Sequence, residues 1–391
     1  KMATKINLRS PYYIKVSDTT LTSVELKLYI YTGTFTANGS VASSTLRYTI
    51  TKKPLSSNNY VVFEISELVR DYLDIEFNGQ YIGQNIWLNA IATVTGGTGS
   101  ETVTPDNANG FLGFDGYGYF EEGANPQITS PVFISNDTIL KLDDSSISIP
   151  LDTSNVQSVA YLLNGEIVRI GMISASTNSG EQIKYTTNGV NGSDSFQSRV
   201  IIAGGTFEDS VCLMGFEDDF ILNDFDSIHV TYTEGGVSKV KILKVKNISE
   251  CKYDPIKVTF VNKFGALQDI IFFKKSIEKT DVNGEEFKAS VFDQSTLTYK
   301  TYQHQRTQFM VQGNDSYTMN TGYMPEDYNQ VIEQLMLSEQ VWATFVTDTE
   351  VLVRPLVPKT KSVTYKTSVN DKLIDYTIDF DIANNKINNI R

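Results

Sequence analysis

Between Val24 and Ile30 every second residue is apolar: Val24, Leu26, Leu28 and Ile30 fall on one side, and Glu25, Lys27 and Tyr29 on the other. Successive side chains of an extended chain point to opposite faces, so this pattern specifies a strand with one buried face. A helix would scatter the same four residues around its axis. The pattern recurs in short runs closed by turn residues. Leu46 to Ile50 stops at Lys53-Pro54, and Tyr60 to Phe63 follows. Trp87 to Val94 and Phe111 to Phe120 read as strands separated by sequence rich in Gly, Thr and Asn. Phe and Tyr contribute 21 residues each, and such rings, interleaved with Val, Ile and Thr, suit a pleated, half-buried surface. Ser66 is placed to cap a short helix running to Leu73, with Leu68, Val69 and Tyr72 on one side. Together these elements predict a β-sandwich domain with one short helix over residues 1–127.

Asn125-Pro126 closes that stretch, and Ser130-Pro131-Val132-Phe133-Ile134 then echoes Ser10-Pro11-Tyr12-Tyr13-Ile14. Over residues 128–247 two hairpins are expected. One joins Val159–Leu163 to Glu166–Ile170 through Asn164-Gly165, and the other joins Ile228–Thr233 to Val237–Val245 through Glu234-Gly235-Gly236. Short strands at this spacing predict an immunoglobulin-like sandwich. Residues 248–391 open with a third hairpin, Lys257–Val261 and Asp269–Phe273 around Asn262-Lys263-Phe264-Gly265. A helix is expected at about 325–341, because Pro325 suits a first turn and Tyr328, Val331, Ile332, Leu335 and Met336 recur at spacings of three and four. Strands Trp342–Val346, Val351–Val357, Ser362–Thr367 and Leu373–Ile382 complete this unit. The expected fold class is therefore mainly β: tandem immunoglobulin-like sandwiches, then a β-sheet or barrel unit with one flanking α-helix.

Charge narrows the function. The formal net charge is −13, the wrong sign for a surface that must displace counterions from nucleic-acid phosphates, so no nucleic-acid partner is expected. One stretch runs the other way: Lys239 to Lys279 holds ten lysines and four acids. It follows seven acids, with no Lys or Arg, between Glu208 and Asp226. Patches of opposite sign can steer identical subunits together, which makes Lys239, Lys241 and Lys244 candidate assembly contacts. The acidic stretch lacks the spacing of a twelve-residue calcium loop and reads as a solvated face. No apolar run is long enough to cross a bilayer, no export signal is visible at the N-terminus, and two cysteines permit at most one disulfide. The expectation is a chain that works where it is made, away from membranes.

Catalytic chemistry has little to draw on. Two histidines occur, His229 within an alternating strand pattern and His304 among Gln303, Gln305 and Arg306. No nucleophile elbow, phosphate-cradling Gly-rich loop or His-Glu-x-x-His zinc pattern is present, so neither a catalytic residue nor a cofactor is expected. Glu121 and Glu122 follow Asp115-Gly116-Tyr117-Gly118-Tyr119-Phe120, and aromatics beside acids are what a sugar site needs. Read as strand neighbours, however, the two glutamates face opposite ways. The aromatic segment itself, with Tyr117 and Tyr119, is a candidate assembly edge, since exposed strand edges need cover.

Three phrases carry a family resemblance. They are Ile6-Asn7-Leu8-Arg9-Ser10-Pro11-Tyr12-Tyr13, Asp115 to Gly123, and Cys251 to Pro255 with Phe260 to Gly265 and Asp269 to Lys274. In these the chain resembles virion structural proteins of tailed bacteriophages. The resemblance implies a non-enzymatic subunit of a tail, baseplate or collar, assembled in the host cytoplasm, whose partners are copies of itself and other virion proteins. A carbohydrate-binding or adhesive surface protein, touching a host-surface glycan, is the second reading.

Overall fold

In a computed structural model the chain is mainly β and divides into two compact units, Lys1–Ser249 with Thr259–Ile271, and Glu250–Val258 with Phe272–Arg391. The structure describes residues 4–126 apart from 34, 56–57, 80–84, 98 and 106–109. From 127 to 251 it describes strand backbones lying within 132–248, and beyond that residues 252–388 apart from 327, 347–350 and 368–373.

The first unit opens with strands β1 (Thr4–Asn7), β2 (Tyr13–Ser17), β3 (Leu21–Tyr31), β4 (Leu46–Lys52) and β5 (Tyr60–Glu64). Helix α1 (Ser66–Arg70) and strands β6 (Ile86–Gly96), β7 (Gly99–Val103) and β8 (Phe111–Phe114) follow. Six strands form one sheet in the order β1-β8-β6-β3-β4, with β7 also pairing β6, while β2 and β5 pair separately. Both sheets feed one core. Val24, Leu26, Leu28 and Ile30 of β3 meet Ile14 and Val16 of β2 and Val61 and Phe63 of β5 within it. Each such side chain stabilises by about 1.5–3 kcal/mol when fully buried. The alternation read from sequence is the alternation observed.

Two local expectations change. Ser66 is the first helical residue rather than the cap; its hydroxyl donates to Glu64 Oε1, and Ile65 occupies the cap position without a side-chain bond. The helix ends at Arg70, short of Leu73. The run Phe111 to Phe120 is a strand only to Phe114; beyond it the chain leaves the sheet and closes in a single 3-10 turn, Phe120–Glu122.

Among the described residues, nine strands lie between 132 and 248: β9 (Val132–Ser135), β10 (Ile139–Lys141), β11 (Gln157–Leu163), β12 (Arg169–Ile173), β13 (Gln182–Asn188), β14 (Asp194–Gln197), β15 (Val211–Gly215), β16 (Ser227–Glu234) and β17 (Val237–Ile248). They form a four-stranded sheet, β10-β9-β12-β15, and a five-stranded sheet, β11-β17-β16-β13-β14. The β16–β17 hairpin forms as expected, with Glu234 opposite Val237. The expected hairpin through Asn164-Gly165 does not: β11 pairs β17 in parallel while β12 pairs β9 and β15. A favourable turn pair is a local preference, and strand partners elsewhere override it.

The third expected hairpin is present as β18 (Ile256–Val261) and β19 (Leu267–Phe272). The turn of this hairpin belongs to the first unit, and the second unit holds β20 (Ile277–Lys288), β21 (Phe292–Asp293), β22 (Thr298–Tyr299), β23 (Arg306–Asn320), α2 (Tyr328–Met336), β24 (Val341–Val346), β25 (Val351–Pro358) and β26 (Thr377–Ile382). Five of its strands run in the order β24-β25-β26-β23-β20 in an open sheet, and β21 and β22 pair separately; no barrel closes among the described residues. Helix α2 is shorter than the sequence suggested, beginning one turn after Pro325, yet its stripe Tyr328, Val331, Ile332 and Leu335 is buried as expected. Residues 362–367 carry no strand, and the strand expected from Leu373 begins at Thr377, preceded by a single bridge between Ile374 and Met324.

Near the C-terminus Asp315 of β23 ties three segments together. It accepts from Lys386 Nζ at 2.8 Å and from Thr280 Oγ1 of β20 at 2.6 Å. The Lys386 bond first, then the Thr280 bond, hold its carboxyl below the usual aspartate range, against the opposing effect of burial. A carboxyl depressed in the folded state stabilises above its unfolded pKa and loses that contribution as pH falls through its folded pKa. Asp315→Asn should therefore destabilise the second unit at pH 7, and the gap to wild type should close as pH drops below roughly 4. Urea unfolding at pH 7 and pH 3 measures this; an equal gap at both would show that the charge contributes nothing.

Candidate functional site

Three segments far apart in sequence converge in the first unit. Parallel pairing of β1 with β8 sets Asn7 beside Phe114, and backbone bonds extend it past both strand ends: Leu8 N–H to Phe114 O at 2.8 Å and Arg9 N–H to Gly116 O at 3.0 Å. The turn of the β18–β19 hairpin then closes on the same place, with Tyr117 N–H donating to Lys263 O at 2.8 Å. Asn262 shapes that turn. Its Oδ1 accepts from the N–H of Phe264 at 2.9 Å and of Ala266 at 3.1 Å.

Glycine makes the approach possible. A Cβ on Gly116 would lie 2.5 Å from Asn7 Oδ1 and 2.6 Å from Lys263 O. Gly265, at φ +77°, packs against the backbone of Asp115 and Gly116, where a Cβ would come within 2.9 Å.

Charged groups then lock the crossing. Asp115 is buried and accepts from Arg70 Nε at 2.7 Å. The Arg9 guanidinium lies 4.9 Å from the centre of the Tyr117 ring, and Tyr117 meets Tyr119 edge-on at 5.9 Å. Lys263 reaches Glu122 Oε1 and sits 4.0 Å from the centre of the Tyr119 ring, pairing its largely buried ammonium with both a carboxylate and an aromatic face. Glu122 Oε2 also accepts from the Tyr119 N–H at 3.0 Å, capping the 3-10 turn. On the other flank the Asn125 amide bonds both backbone groups of Tyr13, at 2.6 and 2.8 Å, and Ser10 Oγ accepts from Gly118 N–H at 2.8 Å.

The result is an open concavity of about 490 Å³. Pro11, Tyr13, Tyr119, Phe120, Ala124 and Pro126 are among the residues lining it. Phe120 stands at its edge 96% exposed. The polar side chains named above bond within the loop and hold its shape, so the surface turned outward is aromatic and aliphatic. Such a surface suits contact with another macromolecule, because aromatic side chains are enriched where protein interfaces are fully buried. Among the described residues no group of three or more His, Cys, Asp or Glu is placed to hold a metal ion. None of their helices is long and apolar enough to cross a membrane.

The residues singled out from sequence fall in different places. Tyr117 is buried beneath Arg9 and Tyr119 is half-buried against Lys263, so the ring this segment presents outward is Phe120. Glu121 and Glu122 lie in the 3-10 turn, not in a strand, and Glu122 has a structural role. Lys239, Lys241 and Lys244 lie on β17, the first two at one strand parity and the third at the other; their side chains are outside the described residues. The acidic 208–226 stretch also lies largely outside them. Sequence reasoning missed Arg9, Asp115, Lys263 and Phe120. The signal that marks them is glycine: Gly116, Gly118 and Gly265 flag close backbone approach.

No protein-family model matches the chain, and no curated protein is significantly similar to it.

Proposed function

We propose that the chain is a non-enzymatic structural subunit of a tailed-phage virion, of the tail, baseplate or collar kind, acting through protein–protein assembly. The observation that carries this reading is the convergence just described. Segments of all three phrases that resemble virion proteins meet at one braced crossing, which holds Phe120 out beside an aromatic concavity. A phenylalanine left almost wholly in water, on a loop fixed by ion pairs and glycine contacts, has the character of an interface anchor awaiting its neighbour. The acidic, mainly β chain is consistent with such a role and offers no counter-signal.

Phe120→Ser should leave folding unchanged, since the ring contributes little to the core, and should lower incorporation of the chain into particles by at least about tenfold, the effect of losing one interface hot spot. Mass spectrometry of purified particles, with electron microscopy to locate the chain, measures both arms. Absence of the wild-type chain from particles would overturn the reading. Saturable binding of surface glycans by the purified protein, lost in Phe120→Ser, would favour the adhesive alternative.

A further inference from the structure

In the second unit β20 and β23 continue as a pair well past the rest of their sheet. Strand β26 pairs β23 only from Ser316 to Asn320, and the C-terminal segment covers the next stretch, with Lys386 N–H donating to Gly313 O at 2.9 Å and Ile387 bonding the Gln312 side chain. Beyond that point a bulge sets Gly284 against Met310 and Val311, with Met310 at φ +53°. From there to the tip, residues 284–311, no third strand joins the ribbon among the described residues. An isolated two-stranded ribbon is marginal in water, and one this long is normally packed on something.

The ribbon has two unlike faces. The register sets Glu285 opposite Phe309 and Phe287 opposite Thr307, so these four share a face, on which the Phe287 and Phe309 rings lie 5.8 Å apart. Glu286, Lys288, Arg306 and Gln308 share the other. Toward the tip Phe292 meets Tyr299 edge-on at 5.6 Å, and Leu297, Tyr299 and Tyr302 are 76, 70 and 79% exposed. A sheet face that carries paired aromatic rings ordinarily packs them against another layer. Here the layer is missing from the chain's own described residues.

We propose that residues 284–311 form an assembly arm whose Phe287–Phe309 face packs onto a second copy of this chain. The proposal rests on the assembly reading above and names the surface and the partner. Two quantities favour a second copy. Counted over the whole arm, tip included, the large apolar side chains still exposed amount to an area on the order of 800 Å², judged from the size of such side chains. One partner contributes about 800 Å² to a stable interface of standard size. The arm also carries three acids, Glu285, Glu286 and Asp293, against three bases, Lys288, Lys300 and Arg306, on a chain whose net charge is −13. Copies of so acidic a chain repel one another over most of their surface, whereas a neutral arm meets no such barrier.

Sedimentation velocity of the full chain tests this. Wild type should sediment as an oligomer at micromolar concentration. Phe287→Glu with Phe309→Glu should raise its dissociation constant by about 100-fold or more, as expected for two interface anchors. Circular dichroism and Trp87 and Trp342 fluorescence should stay unchanged. Charge reversal on the opposite face, Glu286→Lys with Lys288→Glu, should leave the oligomer intact. A monomeric wild type, an oligomer indifferent to the Phe substitutions, or equal loss with either pair of substitutions would each overturn the arm. Presence of the chain in particles, with the arm seated on a different virion protein, would reject the arm and leave the virion reading standing. An arm-dependent oligomer that never enters particles would do the reverse.

Discussion

Leu335→Ala is expected to destabilise the second unit by about 2–5 kcal/mol, the range for removing a buried leucine side chain where the surroundings cannot collapse to fill the space. Leu335 is fully buried, and it closes the α2 stripe that begins at Tyr328 and runs through Val331 and Ile332. The chain has two tryptophans, Trp87 in the first unit and Trp342 in the second. In a Trp87→Phe background, urea unfolding followed by fluorescence therefore reports the second unit through Trp342. With a urea slope of about 2 kcal/mol/M, the midpoint should fall by about 1–2.5 M. Leu337, one turn-end later and exposed, serves as the comparison: Leu337→Ala should move the midpoint by less than about 0.3 M, as exposed substitutions do. Equal shifts for the two variants would mean that the stripe does not bear on the unit's stability.

Gly265→Ala is expected to cost the first unit about 2–5 kcal/mol. About 1–2 kcal/mol of that comes from holding an L-residue in the left-handed region, and about 1–3 from overpacking against atoms that cannot move aside. Those atoms are the backbone nitrogens of Asp115 and Gly116 and Phe114 Cβ, 2.8–2.9 Å from where the methyl group would sit. Gly33 supplies the control, because it too has positive φ, at +92°, but a Cβ there meets nothing within 4 Å. Gly33→Ala should thus show the conformational cost alone. Thermal unfolding followed by Trp87 fluorescence in a Trp342→Phe background should fall by about 5–15 °C for Gly265→Ala and by about 2–6 °C for Gly33→Ala. If the two shifts are the same, the crossing of the 262–266 turn over Asp115 and Gly116 is looser than its geometry indicates.

Much of this fold was legible before any coordinates. The period-two runs became β3, β5 and β6, the three-four spacing became α2, and the loops after Val261 and Thr233 became hairpin turns. Strand faces were legible for the same reason: an apolar residue at every second position can be buried only if that face meets the core. The failures were also local. Phe111 to Phe120 has strand-like composition, but Gly116 within it lets the chain pass against the 262–266 turn. Residues 362–367 have strand-like composition as well, yet form no strand, and the backbone of Lys366 bonds the side chains of Asn329 and Tyr376 instead. The long β20–β23 ribbon escaped notice because its apolar residues are sparse and not covered by its own unit.

Side-chain periodicity, turn chemistry and charge balance are properties of neighbouring residues, so the sequence by itself determined the mainly β class, the buried face of most strands and the acidic character. It could not determine which strands would pair or which loops would meet. Backbone hydrogen bonds are the same for every partner, and bringing distant segments together costs an entropy that grows only slowly with separation. Thr4 pairing Phe111 therefore leaves no local mark in the chain, and glycine flags a close approach without naming the partner. The meeting of Arg9, Tyr117, Glu122 and Lys263 beneath an exposed Phe120 was decided by tertiary packing, where glycine allowed the backbones close enough for those charges and rings to engage.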